Sequence, residues 1–123
     1  MNAKAILDEA LSVMGLTTSD GTPLTARDGD FLRRGLSVIN RVYSELSAIE
    51  KGCAAPPLAD LSEEPELSLQ GIEAMILGTA MILAQAEADR EGEAFFRQLY
   101  RERRGMLFSA RSRKDVLPPC PEG

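Results

Sequence analysis

Apolar residues recur every three or four positions in four stretches of the chain, and no stretch alternates convincingly in the two-residue period of a strand. In the first stretch, Ala3 to Met14, the residues Ile6, Leu7, Ala10, Leu11 and Met14 form one stripe, with Lys4, Asp8, Glu9 and Ser12 opposite. Gly15 follows where a left-handed residue closes a helix. Turn formers from Thr17 to Pro23 then predict a loop, and Thr25 or Asp28 can cap a second helix starting between Ala26 and Asp30. Its stripe is Leu32, Leu36, Ile39, Tyr43 and Leu46, widened by Val42 and Ile49, and Gly52 ends it after Lys51. The near-heptad spacing suits a helix packed on other helices.

Pro56, Pro57 and Pro65, with four acids, make residues 53–66 an irregular connection, long enough to be a functional or a mobile loop. A third helix is predicted from Leu69 to Arg90. Ile72, Met75, Ile76, Leu83 and Ala86 mark one face, and Leu77, Met81 and Ile82 make it apolar almost all round, the pattern of a buried helix. Ala80, Ala84 and Ala88 offer a strip of small residues on which a neighbour can lie closely. Gly92 is expected to break this run before a fourth helix from Glu93 to Ala110, whose apolar positions are Phe95, Phe96, Leu99, Tyr100, Met106 and Leu107. Pro118, Pro119 and Pro121 exclude a helix through the end of the chain. The pattern therefore predicts an all-α fold: a small four-helix bundle over residues 1–110 with an extended C-terminal tail over 111–123.

Composition narrows the function. A chain of 123 residues, 44% hydrophobic and 27% charged, is sized for one globular domain. Aromatics are 5% and Trp is absent, so the core is expected to be mainly aliphatic. The lack of histidine removes imidazole triads, proton shuttles and the common zinc sites. Cys53 and Cys120 have no base to activate them and read as structural or incidental thiols. The run around Gly21 lacks the glycine spacing and lysine of a phosphate loop. Glu63, Glu64 and Glu66 lack the turn glycine and the six to eight oxygens of a calcium loop and read as a solvated segment. No enzyme activity, cofactor or metal is expected. The longest uncharged stretch, between Glu73 and Glu87, is shorter than the roughly 20 residues of a membrane span, so a soluble chain is expected.

Charge is segregated along the chain, whose net value is −5. From Ala59 to Glu93 nine acids face Arg90 alone; from Arg97 to Lys114 seven bases face Glu102 alone. The basic run has three readings: a helix laced with intrachain salt bridges, a nucleic-acid contact, or a contact with an acidic protein surface such as that of a second copy. On the third reading the subunit interface comprises Arg97, Arg101, Arg103 and Arg104 against Glu63, Glu64, Glu66, Glu87 and Asp89. Complementary patches on one chain meet head to tail and form a ring if the rotation closes.

Ile6-Leu7-x-x-Ala10-Leu11, Leu16 and the Gly21 loop, then Leu36-x-x-Ile39-Asn40, the alanine-rich helix through Ala80 to Ala88, the break at Gly92, and Phe96, Tyr100 and Arg103 follow one another in this chain. In that order they resemble the head–tail connector (adaptor, or head-completion) proteins of tailed bacteriophages, over roughly residues 3 to 108. Tyr43 stands where that family often has Trp. The resemblance implies a structural virion protein, made in the bacterial host cytoplasm and located in the neck. It implies a homo-oligomeric ring, typically of twelve subunits, that binds the portal protein and presents a platform to the next neck, stopper or tail protein. DNA would pass through the ring without sequence-specific binding. By position, the portal contact would fall to Arg111, Arg113, Lys114, Val116 and Leu117. Without the resemblance, the pattern also fits a cytoplasmic helical protein-binding adaptor or regulator with a hydrophobic groove.

Overall fold

The computed structural model describes residues 1–15 and 29–112, the side chains of 111 and 112 excepted. Four helices follow in order: α1 (Ala3–Val13), α2 (Gly29–Lys51), α3 (Leu69–Ala86) and α4 (Arg90–Ser112). No strand occurs among the described residues, and the four-helix bundle expected from the sequence is what the chain forms. α4 runs to Ser112, two residues into the segment expected as tail; the rest of that tail, with the docking residues Arg113, Lys114, Val116 and Leu117, lies outside the described residues, as does the side chain of Arg111.

Local chemistry sets the helix ends. The Asn2 side chain accepts the Ala5 amide at 2.9 Å and caps α1, while Gly15 closes it at φ 78°. Gly52 ends α2 at φ 86°. Ser68 caps α3 by accepting the Gly71 amide at 3.1 Å. The junction between α3 and α4 differs from the sequence expectation. α3 stops at Ala86, four residues early, and Gly92 lies inside the first turn of α4 rather than before it. Asp89 is the cause. Its carboxylate accepts the Gly92 amide at 3.0 Å and so starts a new helix, and the missing Gly92 side chain leaves room for it. Upstream, Ala88 takes the left-handed conformation (φ 59°) so that the Asp89 amide can return to the Ala84 carbonyl at 2.9 Å. A non-glycine residue pays roughly 1–2 kcal/mol there.

The other three helices pack around α3. Ala74, Met75, Ala80, Leu83 and Ala84 of α3 meet Ile6, Leu7 and Leu11 of α1, Ile39, Val42 and Leu46 of α2, and Phe96, Tyr100 and Leu107 of α4. The α4 stripe is narrower than its apolar content suggests: Phe95 and Met106 are exposed, because they stand about a third of a turn from the line through Phe96, Tyr100 and Leu107. The small-residue strip also works differently. Ala80 and Ala84 are buried but Ala88 is outside the helix, and both α2 and α4 come close at Gly78. A Cβ there would sit 2.8 Å from the Tyr100 ring and 2.9 Å from Val42 Cγ1, so glycine lets α2 and α4 close on α3 together. Thr79 is fully buried, and its hydroxyl has no partner among the described residues. By length and mean hydropathy (1.3) α3 could cross a membrane; here it is the central core helix.

The long connection after α2 is held down by α2 itself. Asn40 donates to the Leu58 carbonyl at 3.0 Å and accepts the Leu58 amide at 2.7 Å. Ser47 Oγ accepts the Ala55 amide at 2.8 Å, the Tyr43 hydroxyl accepts the Glu66 amide at 3.0 Å, and Glu50 accepts the Ser68 amide at 2.6 Å. At the far side of the connection, the carbonyls of Glu63 and Leu61 accept the amides of Ala3 and Lys4 at 2.9 Å each. A proline-rich loop with few backbone bonds of its own thus borrows partners from helix side chains, which tie it to α1 and α2. Cys53, expected as a structural or incidental thiol, is disulfide-bonded.

Candidate interaction surface

Three charged or polar side chains join α2 to α4. The Tyr100 hydroxyl donates to Glu45 Oε1 at 3.1 Å, Arg104 pairs with the same oxygen, and the Arg104 guanidinium lies 4.8 Å from the Tyr100 ring centre. Burial, and then the adjacent Glu45 charge, push the Tyr100 phenol well above the ordinary tyrosine range. The phenol therefore stays neutral in the fold at pH values where an unfolded tyrosine ionises, from about pH 10. Its contribution is complete below that point and is lost as pH rises further. Urea titrations are expected to show wild-type stability falling between about pH 9 and pH 11 more steeply than that of Tyr100→Phe. Equal slopes for the two proteins would remove the phenol from the alkaline transition.

Around this node the arginines line up. α2 and α4 both run antiparallel to α3, as the approaches of Val42 and Tyr100 to Gly78 and the Arg103–Glu73 pair (3.0 Å) show, so they lie parallel to each other. On α2, Arg34, Arg41 and Glu45 fall within a narrow arc of the helix wheel. On α4, Arg90, Arg97 and Arg104 are seven residues apart and Arg101 lies beside them. Because Glu45 touches Arg104, the two rows form one face. The carboxylates along it each hold one arginine: Asp30 holds Arg33, Glu45 holds Arg104, and Glu93 holds Arg97. Arg34, Arg41, Arg90 and Arg101 are exposed and have no ion-pair partner among the described residues.

The opposite side of the bundle is acidic. α1 packs on α3 away from α4, and the connection fixed to its first turn carries Asp60, Glu63 and Glu64, with Glu9 further along α1, against the exposed Lys4 and the terminal amine of Met1. All four acids are exposed. Glu64 lies 3.5 Å from the terminal amine of Met1, and Glu63 accepts the Ala59 amide at 3.0 Å. The Asp60 carboxyl is held below its usual range by the Ser62 hydroxyl and amide, so it keeps its charge into mild acid.

The candidate interface residues are thus dispersed. Arg97 and Arg104 are on the α2/α4 face and already hold carboxylates, Arg101 is there and open, and Arg103 is turned to Glu73 of α3. Glu63 and Glu64 belong to the acidic side, and Glu66 pairs with Lys51 at 3.4 Å. Glu87 and Asp89 are at the other end of α3, where Glu87 is the C-cap and Asp89 caps α4. A count along the chain joined these acids into one patch; the fold separates them. It also recruits Arg34, Arg41 and Arg90, whose signal was the seven-residue spacing from Arg34 to Arg41 and from Arg90 to Arg97. No cluster of three or more metal-ligating side chains occurs among the described residues. A groove of about 300 Å³ between α2 and α3 is lined by Phe31, Gly35, Val38, Ile82, Leu83 and Ala86, with Arg34 and Glu87 also bordering it.

Comparison with known protein families, with curated proteins and with solved structures finds no match to this chain.

Proposed function

We propose that this chain is a structural subunit of the neck of a tailed bacteriophage: a head–tail connector that forms a ring beneath the portal and links it to the next neck, stopper or tail protein. The observation that carries the reading is where the family-like residues fall. Ile6, Leu7, Ala10 and Leu11 form the buried stripe of α1, Ile39 lies at the centre of α2, and Phe96 and Tyr100 anchor α4. Asn40, the last residue of the second family-like motif, fastens the long connection. These family-like residues are among those that build the core, which supports the resemblance; Leu16 and Gly21 lie outside the described residues, and Leu36 is only half-buried.

On this reading the chain is no enzyme and needs no cofactor. Its surface serves assembly, and DNA crosses the ring without sequence-specific contact. Arg111, Arg113, Lys114, Val116 and Leu117 make the portal contact, with charge for steering and two apolar side chains for anchoring. The test is co-expression with the portal protein of the same virus. Recovery of a portal–connector complex, visible as stacked rings by electron microscopy and lost on deleting 111–123, is the expected result. A chain that never associates with portal would refute the reading.

The groove between α2 and α3 is the one observation that favours the second reading, a cytoplasmic helical adaptor, because an apolar helix of another protein could lie there. Absence of the protein from purified virions, with a soluble host protein as its stable partner, would select that reading instead.

A further inference from the structure

We infer that the arginine face of α2 and α4 docks on the acidic side of a second copy, formed by the start of α1 and the connection that precedes α3. The inference rests on the reading of the chain as a ring subunit and names the two surfaces that would meet.

Three observations carry it. First, arginines outnumber carboxylates on the described part of this face: Asp30, Glu45 and Glu93 hold Arg33, Arg104 and Arg97, while Arg34, Arg41, Arg90 and Arg101 are exposed with no ion-pair partner among the described residues. From Arg90 to Arg104 it extends about 21 Å along α4, with α2 as a second row beside it. Second, the chain as a whole is acidic at −5, so the remainder of the surface must be strongly negative, and Glu9, Asp60, Glu63 and Glu64 expose that charge on the side away from α4. Third, the acidic side is rigid enough to present a fixed pattern, because the connection is bonded to the amides of Ala3 and Lys4 and clasped by Asn40.

The choice of a second copy over a nucleic acid follows from the same charges. Nucleic-acid-coating domains are strongly basic as a whole, whereas this chain carries a net charge of −5 and a phosphate backbone has no acidic surface to complement. A second copy brings the opposite charge pattern in matching form. Arginine is also the cation that pairs with carboxylates in a fork, two hydrogen bonds at a time, and every base on this face is an arginine. Since the two surfaces differ and lie on opposite sides of one chain, each contact leaves another pair free, so association continues head to tail and ends in a ring where the rotation between copies closes.

Two variants of the full chain test this. Arg41→Glu with Arg101→Glu turns the basic face acidic, and Glu63→Lys with Glu64→Lys turns the acidic side basic. All four positions are exposed, and circular dichroism melts are expected to stay near wild type. In sedimentation velocity each variant alone should associate at least about tenfold more weakly than wild type. Mixed in equal amounts, they should assemble again, alternating, because each then meets a complementary face on the other. Native mass spectrometry would read that alternation directly. Wild-type assembly by either variant alone, or a mixture that stays monomeric, overturns the pairing of faces while leaving the ring itself intact. A wild-type chain that is monomeric at all concentrations overturns both the pairing and the ring reading. If a short DNA duplex binds wild type through Arg41 and Arg101 in preference to self-association, the face belongs to nucleic acid and the inference fails.

Discussion

Ile39→Asp is expected to abolish cooperative folding. Ile39 is fully buried at the middle of α2, among residues of the core around α3. The change removes an aliphatic side chain from a packed interior and leaves a carboxylate there with no cation to meet it. Loss of the apolar volume and burial of an unpaired charge each cost several kcal/mol, together on the order of the whole stability of a domain this size. Leu36→Asp, one turn earlier, is the informative comparison. Leu36 is only half-buried, so its carboxylate can reach water, and that variant should fold with a lowered melting temperature. Circular dichroism separates the cases: a flat, unfolded spectrum for Ile39→Asp and a shifted but sharp transition for Leu36→Asp. Wild-type melting of Ile39→Asp would mean that α2 buries another face.

Asn40→Ala should produce the largest loss of any surface-reaching polar residue. Its amide satisfies both the amide and the carbonyl of Leu58, a residue 8% exposed in a segment with no ladder of its own. Truncation strands two backbone groups near the core, at a cost of about 1–3 kcal/mol for a group left fully unsatisfied. A melting temperature lower by roughly 10 °C is expected for a domain of this length. Ser37→Ala, an exposed polar position three residues earlier on the same helix, should change little. Equal melting of Asn40→Ala and wild type would show that water replaces the clasp without loss.

The helices were legible because each carries its own signal. The stripe through Ile39, Tyr43 and Leu46, the capping glycines Gly15 and Gly52, and the nearly all-round apolarity of α3 are local patterns that packing then used as written. The α3–α4 junction was misread because two local signals competed. Gly92 looked like a breaker, but Asp89 three residues before it is a better helix start, and glycine at the third helical position makes that cap fit. The charged surface was hardest to read. Arg103 and Arg104 are adjacent in sequence, yet one turns to α3 and the other to α2, so which arginines remain open depends on tertiary neighbours that no linear count contains. Arg34 and Arg41 joined the face only because α2 runs parallel to α4.

The clasps between α2 and the connection after it have a consequence for how the molecule breathes. Amides in irregular loops normally exchange with deuterium within seconds, whereas helix amides wait for an opening event. Here the amides of Ala55, Leu58, Glu66 and Ser68 are held by Ser47, Asn40, Tyr43 and Glu50, four side chains spaced along one helix. Releasing them together requires α2 to shift or unwind, so the loop and the helix belong to one cooperative opening unit. Exchange would then record a slow loop: protection at these four positions comparable to that of α2 itself, falling with it as denaturant is added, while unbonded loop neighbours such as Ala54 exchange freely.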